Sequence, residues 1–153
     1  MTTMTLQSEV PSQSVLSRLF APDLLTSRAS LGLLALRVFA GIALMFHGWG
    51  KVQSPFSWMG PDSPIPGVLQ GLAALSEFGG GLALILGLLT PLAMLGVLVT
   101  MAVAALFHIS GGDPFVGSPR SWELAGVYFT VAVTMLLAGP GRYSLDAKLF
   151  RHS

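Results

Sequence analysis

Four apolar stretches alternate with polar or proline-rich ones along the chain: residues 30–48, 67–88, 91–109 and 122–138. Each approaches the roughly 20 residues that an α-helix needs to cross the hydrocarbon of a bilayer. The pattern predicts an all-α protein, an integral membrane four-helix bundle with antiparallel neighbours and irregular outer loops. Thr90-Pro91 reads as a helix start, with Thr90 as N-cap and proline in the first turn. Gly87 stands near the end of the preceding helix, so spans two and three are joined by a tight turn. The 49–66 segment holds four prolines and two tryptophans and is expected to be irregular, as is 110–121. Trp49, Trp58 and Trp122 fall at span ends, where an interfacial aromatic belt is expected. Residues 15–25 form a candidate short interfacial helix, interrupted by Pro22.

Composition strengthens the membrane reading. The 153 residues are 52% hydrophobic and only 10% charged, against about 25% charged in soluble domains. The formal net charge of +1 argues against nucleic acid as a partner. The chain has no cysteine, which excludes disulfides, thiolate metal sites and thiol redox chemistry on it. Residues 1–14 lack the basic start and apolar core of a cleaved signal peptide, so the first span is expected to act as an uncleaved anchor. Basic residues set the orientation. Arg18, Arg28, Arg142, Lys148 and Arg151 share one side; Lys51 and Arg120 lie on the other. The positive-inside rule then places both termini in the cytoplasm of a multi-pass protein of the bacterial inner membrane. Residues 1–29 would be a cytoplasmic N-terminal segment, 30–138 the bundle and 139–153 a cytoplasmic tail.

Two ionisable residues interrupt the spans. A charge in the hydrocarbon costs roughly 2.5–3.5 kcal/mol or more unless paired or wetted, so Arg37 and Glu77 are the first functional candidates. Counting helical rise puts them roughly 10 and 16 Å deep, a gap of about 6 Å that an arginine side chain can bridge. An Arg37–Glu77 ion pair is therefore expected. Gln70, Ala73, Ala74, Gly80, Gly81 and Leu84 share the Glu77 face, and their mostly small size suits close helix approach. On the fourth span Glu123, Gly126, Val127, Thr130 and Thr134 form a matching stripe, its threonines placed to hydrogen-bond across the bundle. The Gly79–Gly81 run reads as a packing surface or kink point. His47, Lys51, His108 and Glu123 reach a similar depth nearer the outer surface and are expected to line a half-channel leading to Glu77.

Structural alternatives stand beside each reading. Arg37–Glu77 reads equally as a register-fixing pair, Lys51 as a snorkelling cation, and the histidines as interfacial groups bonded to loop carbonyls. Nothing fixes the ring separation that axial haem ligation by His47 and His108 would need, so haem b is not expected. No phosphate-binding loop, nucleotide fingerprint or metal-protease motif is present, which leaves no nucleotide cofactor and no metal site.

The arginine in the first span, His47-Gly48 with Gly50-Lys51, Glu77 followed by GGGLALILGLLTP, and GPGRYSLD at residues 139–146 together resemble the DoxX family over about Leu31 to Lys148. The resemblance implies a small four-helix membrane protein related to the membrane subunits of thiosulfate:quinone oxidoreductases and to parts of oxidoreductase or oxidative-stress complexes. Arg37, His47, Lys51 and Glu77 match the family pattern. It thereby implies a quinone, ubiquinone or menaquinone, at a site where Glu77 exchanges protons, Arg37 sets its charge and His47 orients the head group. A soluble or membrane redox partner would supply any sulfur chemistry, and the chain would associate with the bilayer and with copies of itself. The competing readings are a non-catalytic scaffold or assembly factor, and a small transporter or proton channel.

Overall fold

A computed structural model describes residues 26–150, and the regular secondary structure among these is all helical. The candidate interfacial helix at 15–25 lies outside the described residues. Five helices follow: α1 Ser27–Gln53, α2 Gly67–Leu86, α3 Thr90–Ser110, α4 Glu123–Ala138 and α5 Leu145–Phe150. α1, α2 and α3 are each long and apolar enough to cross a membrane, and α4 is a shorter apolar helix of 16 residues. Four helices form the bundle. Its loop end gathers the connections α1–α2 and α3–α4; its terminal end gathers the start of α1, the α2–α3 turn and α5.

The outer surface carries the signature of a lipid-facing protein. Phe39 is 79% exposed and Leu137 82%, among many exposed apolar side chains. Soluble proteins rarely leave so continuous an apolar surface in water. Inside, Ala40 and Leu44 of α1 meet Leu84 of α2, Met94, Val97 and Met101 of α3, and Tyr128, Ala132 and Met135 of α4. α1 packs closely on α2, and α4 lies chiefly against α3, with little backbone approach to α1.

Glycine sets the α1–α2 spacing. A Cβ on Gly48 would stand 2.6 Å from the Phe78 backbone nitrogen, and one on Gly41 would stand 2.7 Å from the Gly81 carbonyl oxygen. Without hydrocarbon water to drive association, such backbone contact is what holds membrane helices together. Gly48→Val is expected to lower stability by about 1–3 kcal/mol, read as a drop in the unfolding midpoint in detergent. Gly50→Ala points into open space and is expected to be neutral or stabilising.

The boundaries differ from expectation in instructive ways. α1 runs through Trp49 to Gln53, not to Gly48, because Gly48 is packed and Lys51 complements the negative C-terminal dipole. Thr90 is inside α3; the N-cap is Leu89, at φ 47°. The cap itself comes from far along the chain: Leu89 N donates to Asp146 Oδ1 at 2.7 Å and Thr90 N to Oδ2 at 2.8 Å. Thr90 Oγ1, spared that duty, is buried without a partner. The segment after α4, expected as a tail, is built into the fold as far as Phe150. Asp146 N donates to the Gly87 carbonyl at 2.8 Å, and Arg142 N to Ser30 Oγ at 3.3 Å.

Candidate functional site

Arg37 and Glu77 do not pair. Arg37 is 1% exposed, and its guanidinium donates only to backbone carbonyls. Nε reaches Leu84 at 2.9 Å, Nη2 reaches Ile85 at 2.9 Å, and Nη1 reaches Pro140 at 2.7 Å and Tyr143 at 3.0 Å. Leu84 and Ile85 lie in the last turn of α2, where carbonyls lack helical partners and the dipole is negative. Asp146 is the carboxylate whose charge acts on Arg37. The expected pair fails for a geometric reason. Helical Cα–Cβ bonds tilt toward the N-terminus of their own helix, and α1 and α2 are antiparallel. Arg37 therefore leans toward the terminal end and Glu77 toward the loop end, so the small difference in Cα depth understates their separation.

Glu77 takes Lys51 instead. Lys51 Nζ stands 2.5 Å from Glu77 Oε1, with the Glu77 side chain 4% exposed and that of Lys51 25%. Lys51 Nζ also lies 4.6 Å from the Trp58 ring centroid, a cation–π contact. Trp58 is positioned in turn by buried Gln70, whose carbonyl accepts from Trp58 Nε1 at 3.0 Å and whose side chain binds Met59 N and the Ile65 carbonyl. Through Gln70, α2 holds the α1–α2 loop over the lysine.

Glu77 sits at the centre of a π-turn, Leu75–Gly79, within α2. The Gly80 N–H reaches back to the Leu75 carbonyl. Such turns insert a residue into the helical register and recur at functional sites. Around the turn, Gln70, Ala74, Gly80, Gly81 and Leu84 of the small-residue face are buried with Glu77, while Ala73 is half-buried.

A pocket of about 160 Å³ opens beside the pair, lined by Leu44, His47, Lys51, Glu77, Met101, His108, Ser121 and Tyr128 among others. His47 meets the Tyr128 ring edge-on with centroids 5.7 Å apart. The charge of Glu77 acts on Tyr128. Glu77 Oε2 is buried with no hydrogen-bond partner, a cost of about 1–3 kcal/mol that a fold seldom bears without use. His108 Nδ1 lies 2.7 Å from Asp113 Oδ2, which also takes Arg120 Nε at 3.1 Å. The pocket thus combines a carboxylate, an ammonium, two imidazoles and a phenol in an apolar bundle. Among the described residues, no group of three or more His, Asp or Glu is placed to hold a metal ion.

Of the sequence candidates, His47, Lys51, Glu77 and His108 come together here. Arg37 lies at the terminal end. Glu123 is also outside: it is exposed and lines a separate groove with Leu36, Gly126, Thr130 and Thr134. The stripe expected to face Glu77 therefore faces outward, and its threonines bond their own helix, Thr130 to the Gly126 carbonyl and Thr134 to that of Thr130. The inward face is Ala125, Tyr128, Val131, Ala132 and Met135. α4 is apolar nearly all round, so its sequence carries almost no facial signal. Tyr128 escaped sequence reasoning for that reason. Its place one turn beyond Leu124 and Ala125 was the available clue, a lone phenol on a span whose other polar side chains are Glu123 and two threonines.

A family model described as DoxX matches residues 32–109. The chain is 33% identical over 128 residues to the inner membrane protein YqjF of Escherichia coli strain K12, a match covering 78% of this chain and 92% of that protein. It is 31% identical over 119 residues to an uncharacterised protein of Haemophilus influenzae, covering 76% of this chain and 89% of that one. No solved structure gives a significant match.

Proposed function

The chain belongs to the DoxX family, and from that premise we propose that it is the membrane subunit of a quinone-linked oxidoreductase, binding a quinone head group in the Glu77 pocket. The observation that carries the reading is the buried, half-satisfied carboxylate: Glu77 holds Lys51 with one oxygen and leaves the other without a partner. A bound quinone supplies a two-electron, two-proton couple. This chain, with no cysteine, would take its electrons from a partner dehydrogenase. Lys51 and Tyr128 offer donors for a carbonyl oxygen, His47 orients a ring at the pocket wall, and Glu77 holds or releases a proton in exchange with Lys51. Arg37 has no part in this chemistry; it belongs to the architecture.

Location follows the same proposal. The Escherichia coli relative is an inner membrane protein by name, and the same membrane suits this chain, with both termini cytoplasmic. Lys51 and Arg120, the basic residues at the loop end, are engaged by Glu77 and Asp113, whereas the terminal end keeps its larger basic excess. The test is calorimetric titration of the protein in nanodiscs with short-tailed ubiquinone and menaquinone analogues. Saturable binding that weakens at least about tenfold in Glu77→Gln is expected. Absence of binding, with Glu77→Gln cells behaving as wild type, rejects the proposal in favour of a scaffold, the reading that the Arg37 latch by itself would favour.

A further inference from the structure

The Asp113–His108 contact lies on the rim of the pocket and does more than tie down a loop. His108 is on the last turn of α3 and lines the pocket; Asp113 follows it in the α3–α4 loop and does not. Asp113 is fixed from three directions: its N–H donates to the His108 carbonyl at 3.0 Å, and its Oδ2 takes both His108 Nδ1 at 2.7 Å and Arg120 Nε at 3.1 Å. The loop is closed behind it by Glu123 N donating to the Phe115 carbonyl at 3.0 Å and by the Phe115–Trp122 ring contact, centroids 4.5 Å apart. A carboxylate on Nδ1 selects the tautomer that carries its proton there. In the neutral ring that tautomer leaves Nε2 as an acceptor.

The His108 side chain is 30% exposed at the loop end, while that of Glu77 across the pocket is 4% exposed. We infer that Asp113 and Arg120 are positioning residues that hold His108 as the proton port of the pocket, linking water at the loop end to the Glu77 site. The inference rests on the quinone reading for the use of the proton, but not for the geometry. The exchange is simple. Nε2 takes a proton from hydronium at the loop end, whose O–H bond breaks to leave water; the new N–H bond then breaks as the proton passes to an oxygen acceptor in the pocket, and Nε2 returns to its starting state. No electron moves on this route. The charged and titratable groups facing His108 are His47 and Lys51 from α1, Glu77 from α2, Tyr128 from α4, and Asp113 and Arg120 from the loop. Lys51 is held by Glu77, and among the described residues His108 is the histidine paired with a carboxylate.

Two measurements test this on the full chain in nanodiscs. Histidine-selective ¹⁵N NMR, assigned with His47→Gln and His152→Gln, should place the neutral His108 proton on Nδ1 and lose that preference in Asp113→Asn. A proton on Nε2 in the wild type overturns the inference. Decylubiquinone affinity, measured between about pH 5 and 8, should vary with pH by about tenfold in the wild type. The variation should be smaller in His108→Gln and displaced along the pH axis in Asp113→Asn and Arg120→Gln. Variants that weaken binding equally at every pH would mark a merely structural contact and overturn it. If decylubiquinone fails to bind while the NMR pattern holds, the positioning of His108 stands and the quinone reading falls.

Discussion

Arg37→Gln should yield a protein that is largely unfolded or degraded. The substitution strips the donors from four carbonyls drawn from the end of α2 and the 139–146 segment. It also leaves Asp146 without its countercharge. Removing one member of a buried charged network costs about 3–5 kcal/mol, a large share of the 5–15 kcal/mol that holds a typical domain. Arg37→Lys should rescue little, because a single ammonium cannot replace a planar fork whose four bonds diverge to two segments. Arg28→Ala, at an exposed position, should change the unfolding free energy by less than about 0.5 kcal/mol. The measurement is denaturant or thermal unfolding in mild detergent. A folded Arg37→Gln with a near-normal midpoint would show that the carbonyl latch contributes little.

Lys51→Met should be the second severe lesion, also at about 3–5 kcal/mol, because it leaves the Glu77 carboxylate buried and alone. Lys51→Met combined with Glu77→Gln should recover most of that loss while quinone binding stays abolished. The coupling free energy from the four proteins should reach about 1 kcal/mol or more. A coupling near zero between Lys51 and Glu77 would overturn the pairing described here. The result separates stability from chemistry, because the double variant restores the first without the second.

The helices were legible because bilayer-length apolar runs and their punctuation say so directly. Arg37 and Glu77 were legible as sites where charge demands a partner. The identity of each partner was not. Depth along a helix axis can be counted from sequence, but the tilt of the side chain toward its own N-terminus moves Arg37 and Glu77 apart, into two different networks. Lys51 was hidden as Glu77's partner by the assumption that α1 ends at Gly48; one further turn of helix swings the ammonium over the carboxylate. Asp146 capping α3 across 56 residues leaves no local trace, because Thr90-Pro91 is a sufficient helix start by itself. The face of α4 was read backwards: an all-apolar helix gives small residues and threonines no reason to prefer the core, and here Tyr128 and Met135 take it. What sequence supplied was the set of groups that needed explaining, and packing decided how they were distributed.

The short α4 has a consequence for the bilayer itself. Its 16 residues extend about 24 Å at 1.5 Å per residue, against a hydrocarbon thickness of about 30 Å. The 27 residues of α1 extend about 40 Å. One flank of the bundle is therefore too short for the membrane and the other long enough to tilt through it. Lipid beside α4 accommodates the shortfall by thinning, at a cost of a fraction of a kcal/mol per Å. The bundle then acts as a wedge in lipid thickness.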